Sequence, residues 1–106
     1  FLVRSLGDNK EKHLFIINSY LKNTPNIVKD FNQAYQDRDI KLIRFFSHKL
    51  KSSTRSIGAI ALADVSETIE QAADEANWTI INQLSPQVSI LFDQLKLALA
   101  NDYKGL

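Results

Sequence analysis

His48 is the side chain of this 106-residue sequence most suited to covalent chemistry. The chain contains no cysteine, so a thiol nucleophile, a thiolate metal site and a disulfide framework are all excluded. An imidazole is substantially neutral near physiological pH, and its free nitrogen can then accept an electrophile such as a phosphoryl group. On a helix turning about 100° per residue, an inward set of Leu42, Ile43, Phe46, Leu50, Ser53 and Ile57 leaves His48 pointing at solvent. Lys41, Arg44, Lys51 and Arg55 then fall within about 60° of it on the same wheel. A phosphoryl group, with a charge of about −1.5 to −2, needs such donors. Phe45 and Ser52 occupy the shoulder between this strip and the core, a combination that suits docking of an anionic group brought by another protein. The plainer reading is a solvated histidine on the wet face of an amphipathic helix, and geometry alone favours it. The acidic side of the following helical segment is available to answer the like charges.

Other chemistries find less to work with. Carboxylates at Asp64, Glu67, Glu70, Asp74 and Glu75 have no Glu-x-x-His beside them, so a di-iron bundle lacks its ligands and a solvated acidic face is expected. Ser52, Ser53, Thr54 and Ser56 have no general base in helical register. With three glycines and no phosphate-cradling loop, nothing holds ATP. Thirteen Lys+Arg against twelve Asp+Glu give a net charge of +1, which supplies no global field for nucleic acid or an anionic membrane. His13, amid Lys10, Glu11 and Lys12, reads as solvated, and Trp78 as a lid over an open bundle end.

The elements that must position His48 are helices. Forty-four per cent hydrophobic residues suffice for a core, while three Gly and two Pro are too few for the turns of a small β-fold. After an apolar lead-in, Asp8 with Glu11 has capping-box spacing, and Leu14, Ile17, Leu21, Thr24, Val28, Phe31 and Tyr35 form one stripe. Pro25 either kinks this helix or starts a second one. Asp39 caps the helix of His48 and Gly58 ends it. Leu62, Val65, Ile69, Ala72, Ala73 and Ala76 line the third helix, whose small residues permit close packing. Ser85 with Pro86 is placed to open the last helix, inward at Val88, Leu91, Phe92, Leu95, Ala98 and Leu99, with residues 78–84 open between loop and short helix. The fold expected is all-α, an antiparallel up-down four-helix bundle with a short N-terminal lead-in, one domain over residues 1–106.

Ser47-His48-Lys49-Leu50-Lys51-Ser52-Ser53, followed by Ile57-Gly58-Ala59, Leu62 and Ile69-Glu70, resembles the signature of histidine-containing phosphotransfer (HPt) domains. That pattern runs His-x-Leu-Lys-Gly, then Gly-Ala ten residues after the His, a Leu and a downstream Glu. The resemblance implies a phosphorelay carrier that accepts phosphate on His48 from a receiver-domain aspartate and passes it to a receiver aspartate of a response regulator. It implies charge stabilisation by Lys51 and a receiver-docking surface of Arg44, Phe45, Ser52 and Arg55. No cofactor is implied in this chain, since Mg²⁺ belongs to the receiver. Ser52 stands where the family usually has Gly, so partner approach is the point at which this chain departs. Glu70 is expected to make a structural contact within the hairpin. A docking module without transfer is the alternative. With Phe1 at its start and no Met, the sequence is expected to be a monomeric, cytoplasmic module of a longer protein, a bacterial hybrid sensor kinase.

Overall fold

Three turns of one design set the course of the chain. In each, an amide bonds back five residues to a carbonyl, Asp39 to Ala34, Ala59 to Thr54 and Asn77 to Ala72. The residue just before that amide takes a positive φ, 56° at Arg38, 74° at Gly58 and 52° at Ala76. This is the left-handed C-terminal cap that satisfies a helix's last carbonyls. The amide-donating residue then opens the next helix. Asp39 Oδ1 accepts from the Leu42 amide at 3.2 Å, and Asn77 Oδ1 from that of Ile80 at 3.3 Å. Glycine removes the steric cost of the left-handed turn at position 58 alone; Arg38 and Ala76 bear it.

The structure, a computed structural model, describes residues 10–102. Four helices and no strand occur among them: α1 (Lys10–Gln36), α2 (Ile40–Ser56), α3 (Ile60–Asp74) and α4 (Trp78–Asp102). Cross-helix pairs run in opposite directions along partner helices. Asn32 meets Ser89 while Tyr35 meets Asn82, and Arg44 meets Asp74 while Arg55 meets Glu67. The helices therefore form the antiparallel up-down bundle expected of the four stripes. The proposed cap at Asp8 lies outside the described residues. No described helix is long and apolar enough to cross a membrane.

Several inward assignments shift. α1 passes through Pro25 as one helix, and its buried phase is His13, Ile17, Tyr20, Thr24, Val28, Phe31 and Ala34. His13 is thus buried rather than solvated, because it stands four residues ahead of Ile17 on the inward face. Leu14, Leu21 and Tyr35 are half-buried at the edge of that face. Ala76 is exposed, since it is the turn residue after α3 rather than part of its stripe. Ser85 does not open a helix. It lies buried inside α4, where Ile81, Ser85, Val88, Phe92, Leu95 and Leu99 make one uninterrupted core phase. Burial of Ile81 and Leu84 against the core outweighs the hydrogen bond lost at Pro86, so the helix reaches back to Trp78. Trp78 packs at the core's edge, with the Arg38 guanidinium 5.1 Å above its ring.

In α2 the inward face is Ile43, Ser47, Leu50, Thr54 and Ile57, and Leu42 is 42% exposed. Relative to the expected stripe, the helix is rotated by roughly half of its 100° step. Two hydroxyls make this possible. Ser47 Oγ donates to the Arg44 carbonyl at 3.0 Å, and Thr54 Oγ1 is 3.0 Å from the Tyr20 hydroxyl, so neither buries an unpaired polar group. The rotation turns His48 and Lys51 toward α3. There, buried Ala63, Ser66 and Ala73 leave little side-chain bulk between the helices.

Candidate functional site

His48 stands on α2 with its side chain 55% exposed, facing outward as its place on the wheel requires. Its Nδ1 lies 2.7 Å from Glu70 Oε2. The other oxygen of the same carboxylate, Oε1, takes the Lys51 ammonium at 2.6 Å. One carboxylate on α3 thus holds two side chains that come from successive turns of α2. Lys51 was expected in an open cationic strip, but its side chain is only 18% exposed, covered where α2 leans on α3.

Glu70 itself is 10% exposed, so it is not part of a solvated acidic face. It follows Ser66 by four residues, which places it at the seam with α2, where the small side chains let its carboxylate reach across. Burial alone would raise the Glu70 pKa, yet hydrogen bonds from Lys51 and then His48, reinforced by charge, bring it below the ordinary 4.5. The carboxylate is therefore ionised at neutral pH and can only accept. Nδ1 of His48 must carry the hydrogen that it donates to Glu70, which leaves the Nε2 lone pair on the outer edge of a half-exposed ring.

That depressed pKa has a consequence for stability. The contribution of the Glu70 contacts is fully present above the ordinary carboxyl value and is lost as pH falls through the lower folded-state value. In acid titrations followed by circular dichroism, the native protein should therefore lose stability below pH 4.5, and Glu70→Gln should lack that component. Identical acid limbs for the two proteins would count against an ionised Glu70.

The flanking cations are also paired across the hairpin. Arg44 Nε is bonded to Asp74 Oδ1, and Arg55 Nη2 to Glu67 Oε2 at 2.7 Å. The hydrogen bond to Asp74, and then its charge, hold Arg44 still more firmly in the protonated form. Lys41 has no carboxylate partner among the described residues. Away from this ladder, Phe45 is 49% exposed, edge-on to Phe46 and under the Lys49 ammonium at 4.9 Å, and Ser52 is exposed. The structure brings His48, Lys51, Arg44 and Arg55 to contacts with α3, while Phe45 and Ser52, three residues before and four after His48, are exposed outside the ladder. Glu70, expected to make a structural contact within the hairpin, makes it with His48, 22 residues before it, and with Lys51.

No group of three or more His, Asp or Glu side chains among the described residues could hold a metal ion. What the arrangement offers is one outward lone pair, a fixed tautomer and a neighbouring ammonium, the requirements for nucleophilic acceptance of a small anionic group. The family model of the Hpt domain matches residues 16–101. Neither the curated proteins nor the solved structures gave a match.

Proposed function

Because the chain belongs to the Hpt domain family, whose members are phosphotransfer modules of phosphorelay signalling rather than enzymes in themselves, we propose that His48 is the residue that carries the phosphoryl group. The observation that carries this reading is the Glu70 carboxylate on Nδ1, which turns the Nε2 lone pair outward. In the forward step Nε2 attacks the phosphorus of a receiver's aspartyl phosphate in line. The N–P bond forms, the P–O bond to the aspartate breaks, and the carboxylate leaves with the electron pair. The Nδ1 proton stays on the bond to Glu70, which offsets the positive charge that develops on the ring. Transfer onward is the reverse step, with His48 as the leaving group and a second receiver aspartate as nucleophile.

Lys51 supplies positive charge beside the moving group, held in reach by Glu70. Arg44, Phe45, Ser52 and Arg55 surround the ring and form the docking surface for the receiver. The Mg²⁺ that assists the transfer is the receiver's own. On this reading the module works in the cytoplasm as part of a hybrid sensor kinase and meets both the receiver of that kinase and that of a response regulator.

The test is to incubate the protein with receiver domains charged from a small-molecule phosphodonor. Acid-labile, base-stable phosphate should appear on this chain. If every receiver in the panel leaves it unlabelled while labelling a known carrier, the reading fails, and a docking module without transfer takes its place.

A further inference from the structure

We propose that Asp74 and Glu67 determine which receivers dock, by holding Arg44 and Arg55 and by turning carboxylates toward the partner. The inference rests on the carrier reading above. The α2–α3 face carries a ladder of cross-hairpin ion pairs, Arg44 with Asp74, His48 and Lys51 with Glu70, and Arg55 with Glu67. Three cations, Arg44, Lys51 and Arg55, thus meet three carboxylates, so the charges of the ladder cancel and, of the strip around His48, Lys41 is left without a carboxylate partner among the described residues. In the middle rung Lys51 and Glu70 are covered and the imidazole is half-exposed. The two outer rungs are half-exposed and lie on either side of His48, Arg44 one helical turn before it and Arg55 two turns after it.

A receiver that delivers a phosphoryl group to Nε2 must lie over these outer rungs. Its reacting centre is anionic. To bind it, Arg44 and Arg55 must be shared with or released from Asp74 and Glu67, and those carboxylates then face the partner's acidic side chains as like charges. Exposed ion pairs of this kind are weak, so a partner can open them. The carboxylates therefore limit affinity and penalise receivers with acidic rims, which suits a carrier that has to release one partner before it meets the next.

The experiment compares two variants with the native protein. Asp74→Asn combined with Glu67→Gln keeps the side-chain shapes and frees both guanidiniums. Arg44→Gln combined with Arg55→Gln removes the cations and leaves the acids. Dissociation constants are measured by calorimetry against the receiver that labels the native protein best, at low and high salt, with melting curves alongside. The amide variant should bind about three- to tenfold more tightly at low salt, with the gain lost at high salt, where screening is strong. The glutamine variant should bind more weakly than the native protein. If the native protein is labelled but the amide variant binds equally or less well, or if both variants lose melting temperature alike with no change in affinity, the ladder is structural and the inference is overturned. Absence of label on the native protein from every receiver would overturn the carrier reading first, and this inference with it.

Discussion

His48→Gln is expected to acquire no phosphate from any charged receiver while keeping its helicity and melting temperature. Both halves follow from the position of the ring. It is more than half exposed and is not among the core residues of α2 and its C-cap, which are Ile43, Leu50 and Ile57. The glutamine amide can still donate to Glu70, so the covered carboxylate keeps a partner and the fold loses little. The amide offers no nucleophilic nitrogen, because its lone pair is delocalised into the carbonyl. Labelling should therefore fall to background rather than by a modest factor. Retained labelling would move the phosphate to another side chain. Loss of helicity would mean that the ring contributes to the fold in a way its exposure does not reveal.

Leu50→Ala is expected to do the opposite, with its main effect on stability. Leu50 is fully buried two residues from His48, on the face of α2 that meets the core. Truncation removes apolar contact and leaves a cavity that the neighbouring helices can close only in part, at a cost of about 2–5 kcal/mol. For a domain of this size that corresponds to a drop in melting temperature on the order of 10–30 °C. Below its new melting point the variant should still accept phosphate, since the groups on Nδ1 and beside Nε2 are untouched. Thermal melts and labelling on the same samples separate the two effects. If the two variants lost stability and activity in parallel, the inward and outward faces assigned to α2 would be wrong.

The number of helices and the antiparallel order were legible because the chain is punctuated at each turn, by Asp39, Gly58 and Asn77, and because apolar residues recur at helical spacing between them. The details that failed share a cause. A wheel sorts residues by type, and in this bundle type and burial part company at several polar positions. Ser47 and Thr54 are interior because their hydroxyls are bonded, while Leu42 is left outside. His13 is interior because of its phase on α1. In α4, Pro86 looked like a start because its chemistry is local, whereas the burial of Ile81 that carries the helix past it is not.

The site divides in the same way. The cationic strip around His48 is visible along one helix, but that geometry alone favours a solvated face, and it is the resemblance that singles out His48 and Lys51. A contact of Glu70 within the hairpin was expected from its spacing, but its two partners were not legible, because they depend on the seam between α2 and α3 and each helix was read alone. A residue 40° from Ser66 on the wheel of α3 is covered once a second helix lies against that flank, and its acid end is then left facing cations that no single-helix reading includes. The acids that answer the basic strip were anticipated as a group. Their pairing, Asp74 with Arg44 and Glu67 with Arg55, follows from the register that the Gly58 turn imposes.

The carboxylate that binds both the imidazole and the ammonium has a genetic consequence. Positions 48, 51 and 70 behave as one locus, so the effects of substitutions there cannot be summed from single changes. A drift at 70 removes the partner of the ring and of the ammonium together, and a second change at 51 is neutral or harmful according to what stands at 70. Natural variation at these three positions would therefore be inherited as combinations, with intermediates that lose one partner of the shared acid selected against.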